Sequence, residues 1–362
     1  MPTFDIVKSW ENTDSFRAQS VVGSFSLLDC KLEKRFKGNI PFDDDSWKVG
    51  VIVGRSGTGK TSIAKDLFKQ AYICGFKYTH KTILDDFPEN LSVSDITKAL
   101  SSVGFASPPD WLKSYDQLSQ GEKMRVDIAR ALVLEQDLIV FDEFTSVVDR
   151  EVAQVSAFAI SKAIRKSKKR FIAVTCHYDV VNWLEPDWVF TTDTMEYSKK
   201  KRVRPEISIR IHSCSGDVWR IFRDYHYLSG QLNPFTKNYV AIYKEKPIAF
   251  IAIIKIHMGT IYYRVSRLVV LPDYQGIGVG RRLLNFMAKY YTEKTKLPFT
   301  IITSNPQLVR GGLKNWKIRH IGRGNRIDSR NFKNLYTGSS EKRITVSLRY
   351  IPENKKQESC LD

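Results

Sequence analysis

The stretch GRSGTGKTS, residues 54–62, is the clearest indication of structure in the N-terminal half of this chain. It satisfies the pattern G-x-x-x-x-G-K-[ST] and lies between the apolar run WKVGVIV (47–53) and a segment with apolar residues at helical spacing. Glycines in such a loop let backbone N–H groups turn toward phosphate oxygens, and the dipole of the following helix favours negative charge. The sequence therefore predicts a strand, a phosphate-binding loop and a helix in succession.

The residues of this loop have distinct expected roles toward a nucleoside triphosphate. Lys60 is expected to neutralise the β and γ phosphates, and Thr61 to bind the accompanying Mg²⁺. The predicted ATP-binding residues of the loop are Gly54, Arg55, Ser56, Gly57, Thr58, Gly59, Lys60, Thr61 and Ser62.

Strands and helices are predicted to alternate through the rest of this half. The runs DLIVFD (137–142) and RFIAVTC (170–176) have the apolar composition of buried strands. The segments TSIAKDLFKQAY (61–72) and EVAQVSAFAISKAIRK (151–166) have apolar residues at helical spacing. This alternation predicts a mostly parallel sheet covered by helices.

Four further motifs, in this order, resemble those of the ABC ATPases. LSQGEKMRVDIARAL (118–132) is similar to the family signature, LIVFDEF (138–144) to its Walker B motif and TSVVD (145–149) to its D-loop. In VTCHYD (174–179), a histidine stands where the family's switch histidine follows its strand. The resemblance implies an α/β, ABC-type P-loop ATPase domain.

The resemblance also implies roles for individual residues. It makes Asp142 a Mg²⁺ ligand, Glu143 the group that polarises the attacking water and His177 a further catalytic residue. It adds four residues to the ATP site, namely Ser119, Gly121, Glu122 and Asp149. In this family each nucleotide lies between the Walker A loop of one subunit and the signature of another, so one set per chain implies an ATP-dependent homodimer.

Two departures from the family distinguish this chain from a transporter ATPase. Between Lys60 and Leu118 no convincing Q-loop glutamine is found, and Asp85 and Asp86 occupy that region. The same stretch is short for an ATPase that uses it to grip a membrane partner. Both departures favour a soluble ABC machine. Phe36 is a candidate for stacking on the adenine ring.

Length and charge divide the chain into two predicted domains. A chain of 362 residues exceeds the usual size of a single core, and the basic stretch SKKKRVRPE (198–206) indicates a joint. We therefore predict an ATPase domain over 1–198 and a second domain over 199–362. The first contains 25 Lys and Arg against 28 Asp and Glu, and the second 32 against 11, a net charge of +21. This concentration favours a polyanionic partner such as nucleic acid, the alternative being a solvated basic surface.

Composition argues against several other classes of protein. The five cysteines are scattered and without a C-x-x-C pair, which disfavours a disulfide framework or a zinc cluster. The apolar run PIAFIAII (247–254) is too short to span a bilayer, and the N-terminus lacks the layout of a signal peptide. A cytoplasmic location without membrane contact is the resulting expectation.

A second glycine-rich stretch, YQGIGVGRRLL (274–284), lies in the basic half. Its glycines do not fit the dinucleotide pattern G-x-G-x-x-G, because position 281 is arginine. It resembles motif A of the GNAT acyltransferases, Q/R-x-x-G-x-G/A, and lies between the predicted strand VSRLVVL (265–271) and the predicted helix RRLLNFMAKYY (281–291). A predicted hairpin, YVAIYKEKPIAFIAIIKI (239–256), precedes it. The resemblance implies a C-terminal α+β domain of the GNAT fold.

The expected ligand of this second loop is an acyl-CoA such as acetyl-CoA. N–H groups at a helix N-terminus can surround the pyrophosphate, and arginines add positive charge. In this family the preceding strand splays from its neighbour, and its backbone binds the pantetheine arm. The residues implied are Leu268, Val269, Val270, Gln275, Gly276, Ile277, Gly278, Val279, Gly280 and Arg281.

Candidates for the acceptor side lie on either side of this loop. His226 and Tyr227, in RDYHYLSG (223–230), lie at the predicted end of the first helix of this domain. They resemble a segment of Mom-like DNA-modifying members of the superfamily, with core packing as the alternative. Residues 306–335 contain no tyrosine to serve as the general acid of many GNATs, so Ser304 and Asn305 are the polar candidates. The basic and aromatic stretch 315–336 is suited to phosphates and bases.

Together these features favour an ATP-dependent enzyme that transfers an acyl group from acyl-CoA to an exocyclic base amine in DNA. A tRNA base acetyltransferase is the alternative enzyme. The third possibility is an ABC ATPase whose GNAT-like module binds DNA or a partner without catalysis.

Overall fold

The computed structural model describes residues 2–9, 15–25, 33–41, 46–201, 207–226, 230–305, 308–309, 313–323 and 344–352. Internal packing divides the chain into two compact units, one of Met1–Lys77 with Asp127–Pro205 and one of Tyr78–Val126 with Glu206–Asp362. The division near residue 205 lies close to the sequence-based boundary at 198. Residues 78–126, however, pack with the C-terminal part of the chain. The boundaries 1–198 and 199–362 stay a prediction.

The elements of the N-terminal half follow in chain order. They begin with β1 (Thr3–Ser9), α1 (Phe16–Ser24), β2 (Glu33–Asn39), β3 (Val49–Val53), α2 (Lys60–Leu67) and β4 (Tyr72–Ile73). Next come α3 (Val93–Ser102), α4 (Pro108–Trp111), a 3₁₀ turn (Tyr115–Gln117) and α5 (Gln120–Val133). The half ends with β5 (Leu138–Phe141), α6 (Arg150–Lys166), β6 (Arg170–Thr175), α7 (Asp179–Leu184), β7 (Trp188–Thr191) and β8 (Glu196–Lys199).

The elements of the C-terminal half are mainly strands. They are β9 (Arg210–Cys214), 3₁₀ turns at Gly216–Ile221 and Arg223–Tyr225, β10 (Lys237–Tyr243), β11 (Lys246–Met258) and β12 (Thr260–Val270). After a 3₁₀ turn (Pro272–Tyr274) come α8 (Val279–Thr295), β13 (Phe299–Thr303), β14 (Trp316–Arg323) and β15 (Ile344–Tyr350).

The first unit is built on a sheet with the strand order β4–β5–β6–β3–β7–β8. Its pairings are parallel except that of β8 with β7. Every residue of β3 is buried, as is typical of a parallel strand covered on both faces. The strands and helices predicted from the apolar runs of this half are confirmed.

The antiparallel pair of β1 and β2 adds aromatic residues to the core of this unit. Phe4 and Phe36 are buried in one cluster with Trp188 and Phe190. Phe36 lies directly beneath the phosphate-binding loop, because a Cβ built on Gly59 would come within 2.6 Å of its ring. Only 5% of Phe36 is exposed, so its ring supports the loop and offers no face to an adenine.

The sheet of the second unit has the strand order β14–β15–β13–β12–β11–β10–β9. The predicted hairpin is confirmed: β10 and β11 are antiparallel, and Lys244 and Glu245 between them both have positive φ, as a two-residue type I′ turn requires. The predicted helix is confirmed as α8. Its buried face, which includes Leu283, Leu284 and Met287, packs on the sheet.

Segment 78–126 of this unit is held by its own polar contacts. Asp86 accepts hydrogen bonds from the backbone N–H of Thr79 at 2.9 Å and from the ring of His80 at 2.8 Å. Burial alone would raise the pKa of Asp86, but these hydrogen bonds outweigh it and lower that pKa below its usual value. Asp86, which occupies the region of the missing Q-loop glutamine, therefore holds its own loop together. Tyr78 stacks on Tyr115 with ring centroids 3.7 Å apart.

Candidate functional site

The first phosphate-binding loop has the conformation that its glycines were expected to allow. Gly57 and Gly59 have φ values of 78° and 91°, in the region that favours glycine. Gly54 is needed for space, since a Cβ there would lie 2.2 Å from the hydroxyl of Thr192. The loop leads into α2, whose N-terminal residue is Lys60.

Lys60 folds back over this loop. Its side chain is largely buried, and its Nζ donates a hydrogen bond to the carbonyl of Arg55 at 2.8 Å. Backbone N–H groups at a helix N-terminus, together with a lysine ammonium, are suited to bind phosphate oxygens. The structure thus brings the predicted residues 54–62 together, and their contact with ATP stays a prediction.

Two residues after β7 anchor the loop, and sequence reasoning missed both. Asp193 forms an ion pair with Arg55 at 2.8 Å and accepts a hydrogen bond from the hydroxyl of Tyr178. Thr192 shares a hydrogen bond of 2.6 Å with Thr58. The hydrogen bond from Tyr178, followed by that from Arg55, lowers the pKa of Asp193 to about 2. The available signal was the polar sequence TTD (191–193), with which the buried strand β7 ends and the next loop begins.

The Walker B residues lie at the carboxyl end of β5. Asp142 accepts one hydrogen bond from the hydroxyl of Tyr72 and another, of 2.9 Å, from the backbone N–H of Glu143. Burial and the hydrogen bond to Asp142 raise the pKa of Tyr72, so its phenol stays protonated and donates. Tyr72 is a further residue of this site that sequence reasoning missed.

Glu143 has the exposure and the constrained backbone of a functional residue. Its φ is 51°, uncommon for a residue other than glycine, and its carboxylate accepts a hydrogen bond of 2.5 Å from Ser146. Backbone strain of this kind is concentrated at functional sites.

Asp149 and His177 lie near the same end of the sheet. Asp149 caps α6 by accepting hydrogen bonds from Glu151 and Val152. The backbone N–H of His177 donates to the hydroxyl of Thr175 at 3.1 Å, and that hydroxyl donates to the carbonyl of Phe144 at 2.9 Å. The His177 segment is therefore tied to the loop that follows Asp142.

The residues present fit a Mg²⁺ ion bound together with a nucleotide. Among the described residues, no group of three or more His, Cys, Asp or Glu could hold a metal by itself. Mg²⁺ bound with a nucleotide usually takes one or two protein oxygens, phosphates and waters. The hydroxyl of Thr61 and the carboxylate of Asp142 supply such oxygens, and the ion would neutralise phosphate charge there.

The signature turn in the second unit begins α5. The backbone N–H of Ser119 donates to the carboxylate of Glu122 at 2.8 Å, and the N–H of Glu122 donates to the hydroxyl of Ser119 at 3.4 Å. This reciprocal pair is a capping box. It presents Ser119 at the helix N-terminus, with Gly121 buried in the first turn.

The glycine-rich loop of the second unit also ends at a helix N-terminus. Gly276 and Gly278 have φ values of 82° and 95°, and α8 begins directly after Gly278. The N-cap residue of this helix, Gly278, makes no side-chain capping hydrogen bond, and a helix N-terminus is suited to bind an anion. Gly280 lets the helix approach β12, because its Cβ would be 3.1 Å from the side chain of Val270.

The side chain of Gln275 supports this loop from within. Its Nε2 donates to the carbonyl of Val270 at 3.0 Å, and its Oε1 accepts from the backbone N–H of Ala106 at 3.0 Å. Gln275 was predicted to bind acyl-CoA. These two hydrogen bonds fix the shape of the loop, and contact of Gln275 with the cofactor stays a prediction.

The neighbouring strands open beside the loop. The parallel pairing of β12 with β13 runs from Tyr263 with Phe299 to Val265 with Ile301. Beyond it, Leu268, Val269 and Val270 pair with β11 on the other side. The edge of β12 that follows Val265 is thus free of β13 within the described strands, as a pantetheine arm would require.

The acceptor-side candidates are placed only in part. The ring of His226 packs edge-on against Trp219 with centroids 5.6 Å apart, and the predicted helix before it is a pair of 3₁₀ turns. Tyr227 lies outside the described residues. Ser304 and Asn305 follow β13, and the N–H of Asn305 donates to Thr303 at 3.0 Å.

Of the basic and aromatic stretch 315–336, the structure describes residues up to 323. Trp316 donates from its ring N–H to Asn285 at 2.7 Å and packs against Phe299 and Tyr350, so it anchors the core. Lys317 and Arg319, two cations of β14, are in contrast exposed.

The two sheets and their glycine loops are typical of a nucleotide-binding P-loop domain combined with an acyltransferase-like domain. Comparison with family models identifies both parts. Residues 76–146 match the ABC transporter family, and residues 205–310 match the Acetyltransferase (GNAT) family. The chain therefore carries an ABC-type ATPase domain in its N-terminal half and a GNAT acetyltransferase domain in its C-terminal half. Both are domains of enzymes, and the predicted fold class is confirmed.

Curated relatives are similar to the ATPase part. The chain is 28% identical over 176 residues to the energy-coupling factor transporter ATP-binding protein EcfA of Aster yellows witches'-broom phytoplasma, covering 38% of this chain and 63% of that protein. It is 32% identical over 117 residues to the methionine import ATP-binding protein MetN 2 of Rhodococcus jostii, covering 32% of this chain and 33% of that protein. The chain thus spans less than two thirds of either relative.

Among solved structures, the dimeric post-hydrolysis state of the ATP-binding cassette MJ0796 bound to ADP and Pi shows 15% identity and a TM-score of 0.39. The match covers 56% of this chain and 99% of that one. None of the helices within the described residues is both long and apolar enough to cross a bilayer.

Proposed function

We propose that this chain is an ATP-dependent nucleic-acid-modifying enzyme, which transfers an acyl group from an acyl-CoA to an exocyclic base amine in DNA. One observation carries the proposal: a glycine loop at the N-terminus of α8 adjoins the opening between β12 and β13, in a half of the chain with a net charge of +21. The loop supports a donor site, and the charge supports a polyanionic acceptor.

The nucleic-acid part of the proposal is supported by the outer face of α8. Phe286 and Tyr290 are 54% and 40% exposed, one helical turn apart, and Arg282 and Lys289 are exposed on the same helix. Cations that bind phosphates beside aromatic rings that stack on bases are typical of surfaces for single-stranded nucleic acid. A base amine must leave the duplex to react, so such a surface suits the acceptor.

The ATPase domain would act as a clamp in this proposal. A single chain carries one Walker A loop and one signature, so two chains are needed to enclose each nucleotide in the manner of the family. ATP-driven formation of a homodimer in the cytoplasm would then hold or open the substrate for transfer.

In the transfer itself, the base amine attacks the thioester carbonyl. The bond between carbon and sulfur breaks, coenzyme A leaves as the thiol, and the amine loses a proton. Much of the rate would come from holding the two reactants together. Ser304, Asn305 and His226 are the described polar residues proposed for the acceptor side.

Mass spectrometry of nucleosides tests this function. DNA and tRNA would be digested from cells that express the wild-type chain, Gly278→Trp or Lys60→Ala. We expect a new acylated nucleoside in DNA that is lost in both variants, because one fills the donor loop and the other removes the phosphate-binding cation. Gly23→Trp is the matched control, since a Cβ at Gly23 meets no atom within 4 Å.

The outcomes separate the alternatives. If no nucleoside mass depends on Gly278, nucleic-acid modification is excluded and the GNAT domain becomes a binding module. A new mass in tRNA alone would support a tRNA base acetyltransferase instead.

A further inference from the structure

Arg125, in the first half of α5, joins the signature turn to the glycine-rich loop of residues 275–280, which we call the acyl-CoA loop after its proposed ligand. Its Nε donates to the carbonyl of Gly121 in the signature at 3.1 Å. Its Nη1 donates at 3.1 Å to the carbonyl of Pro272, in the turn that leads into the loop, and its Nη2 lies 3.7 Å from the carboxylate of Asp273. One side chain thus contacts both the signature and the turn that leads into the acyl-CoA loop.

A second contact links the same two segments. The backbone N–H of Ala106 donates to the side chain of Gln275, the first residue of the glycine motif. Gln275 in turn holds the carbonyl of Val270 at the end of β12. The shape of the acyl-CoA loop therefore depends on residues from segment 78–126 on both of its sides.

The burial of Arg125 is unusual for a cation. Only 1% of its side chain is exposed, whereas Asp273 is 53% exposed. Burial lowers the pKa of Arg125, with the charge of Asp273 acting in the opposite direction, and an arginine remains protonated near neutral pH. The charges of Glu122 and Asp110 act in the same direction as that of Asp273. Burying a charge costs stability unless its partners compensate, and here the guanidinium makes its hydrogen bonds to two separate segments, at Gly121 and Pro272.

We propose that Arg125 is a positioning residue that couples the signature turn to the acyl-CoA loop, so that nucleotide at the signature and acyl-CoA at the loop change each other's affinity. The inference rests on the proposed function, because it requires a donor site at Gly278 and a nucleotide against Ser119. A shift of the first turn of α5 moves the carbonyl of Gly121 and with it the guanidinium that holds Pro272. Such coupling is reciprocal by thermodynamic necessity.

Calorimetric titration of acetyl-CoA into the full chain measures this coupling. The titration is made with Mg²⁺ alone and with Mg²⁺ and a saturating non-hydrolysable ATP analogue. For the wild type we expect the two dissociation constants of acetyl-CoA to differ by about fivefold or more, the lower end of typical allosteric factors. In Arg125→Met the ratio is expected to fall to about one.

Arg130→Met is the matched control. Arg130 lies on the same helix and donates to the backbone carbonyl of Lys77, away from the acyl-CoA loop. In Arg130→Met, the ratio of the two acetyl-CoA dissociation constants should equal that of the wild type. A purely structural loss in Arg125→Met would weaken both titrations equally and leave the ratio unchanged, which would overturn the proposal.

A second variant guards against misfolding of Arg125→Met. Arg125→Lys keeps the charge but cannot hold the carbonyls of Gly121 and Pro272 together, so its ratio should also fall to about one. If the wild type binds acetyl-CoA and the analogue independently, the coupling is refuted while the transferase proposal stands. If acetyl-CoA does not bind in either condition, the donor site fails and the coupling fails with it.

Discussion

At the scale of single residues, the polar contacts around the first phosphate-binding loop are made by side chains far away in sequence. Asp193 lies 138 residues after Arg55 and binds both its guanidinium and its backbone N–H. Tyr72 holds the Walker B carboxylate of Asp142 across 70 residues. These contacts fix the loop and the carboxylate before any ligand binds, which reduces the ordering that binding must bring about.

The pKa of Asp193 leads to a prediction about acid stability. A carboxylate whose pKa in the folded chain is about 2, below its usual 3.8, stabilises the fold above pH 4 and loses this contribution as the pH falls toward 2. Asp193→Asn should therefore destabilise the chain at pH 5 to 7, and the difference from the wild type should shrink below pH 4. Thermal unfolding of both proteins from pH 7 to pH 2 measures this. A difference that does not change with pH would contradict the assignment.

At the scale of elements, the order of strands and helices could be predicted because apolar periodicity is a local property. The buried strands β3, β5 and β6, the hairpin of β10 and β11, and α8 all follow their sequence patterns. The two 3₁₀ turns before His226 were predicted as a helix. Segments of six and three residues are too short for apolar periodicity to distinguish a 3₁₀ turn from an α-helix. The role of Phe36 was also misjudged, because an aromatic residue has the same sequence signal in a core as beside a base.

The close packing of Gly59 against Phe36 leads to a prediction about stability. Gly57 and Gly59 both have positive φ, but a Cβ on Gly57 meets no atom within 4 Å, whereas one on Gly59 overlaps Phe36. Gly57→Ala should cost about 1–2 kcal/mol of unfolding free energy from its backbone alone. Gly59→Ala should cost about 1–3 kcal/mol more because of the overlap. Urea denaturation measures the unfolding free energy of both variants. Equal losses would show that the ring of Phe36 moves aside without cost.

At the scale of the whole molecule, segment 78–126 has a place that sequence could not assign. Its motifs belong to the ATPase, yet it packs in one unit with residues 206–362. Contacts such as that of Arg125 with Pro272 join residues 147 positions apart, and no local pattern specifies such partners. The charge division between the two halves, in contrast, is a property of composition and was evident from the sequence.

The basic C-terminal half predicts strongly salt-dependent binding of DNA. Each phosphate neutralised by a lysine or arginine contributes about 0.9 to the slope of log K against log salt. Arg282→Ala and Lys289→Ala on α8 should each reduce the slope by about 0.9, whereas Lys168→Ala, an exposed cation of the other half, should leave it unchanged. Fluorescence anisotropy with a duplex oligonucleotide at several salt concentrations measures the slopes. Equal slopes in all variants would exclude α8 from the interface.

The hydrogen bonds from Ala106 to the acyl-CoA loop and from Arg125 to the turn before it bear on how the chain can be divided. A fragment cut at the basic joint near residue 198 would carry the glycine motif but leave behind the partners of Gln275 and Pro272. Such a fragment would lack two hydrogen bonds that hold the loop and the turn before it. A truncated acyltransferase therefore needs segment 78–126 supplied with it if its donor loop is to keep this shape.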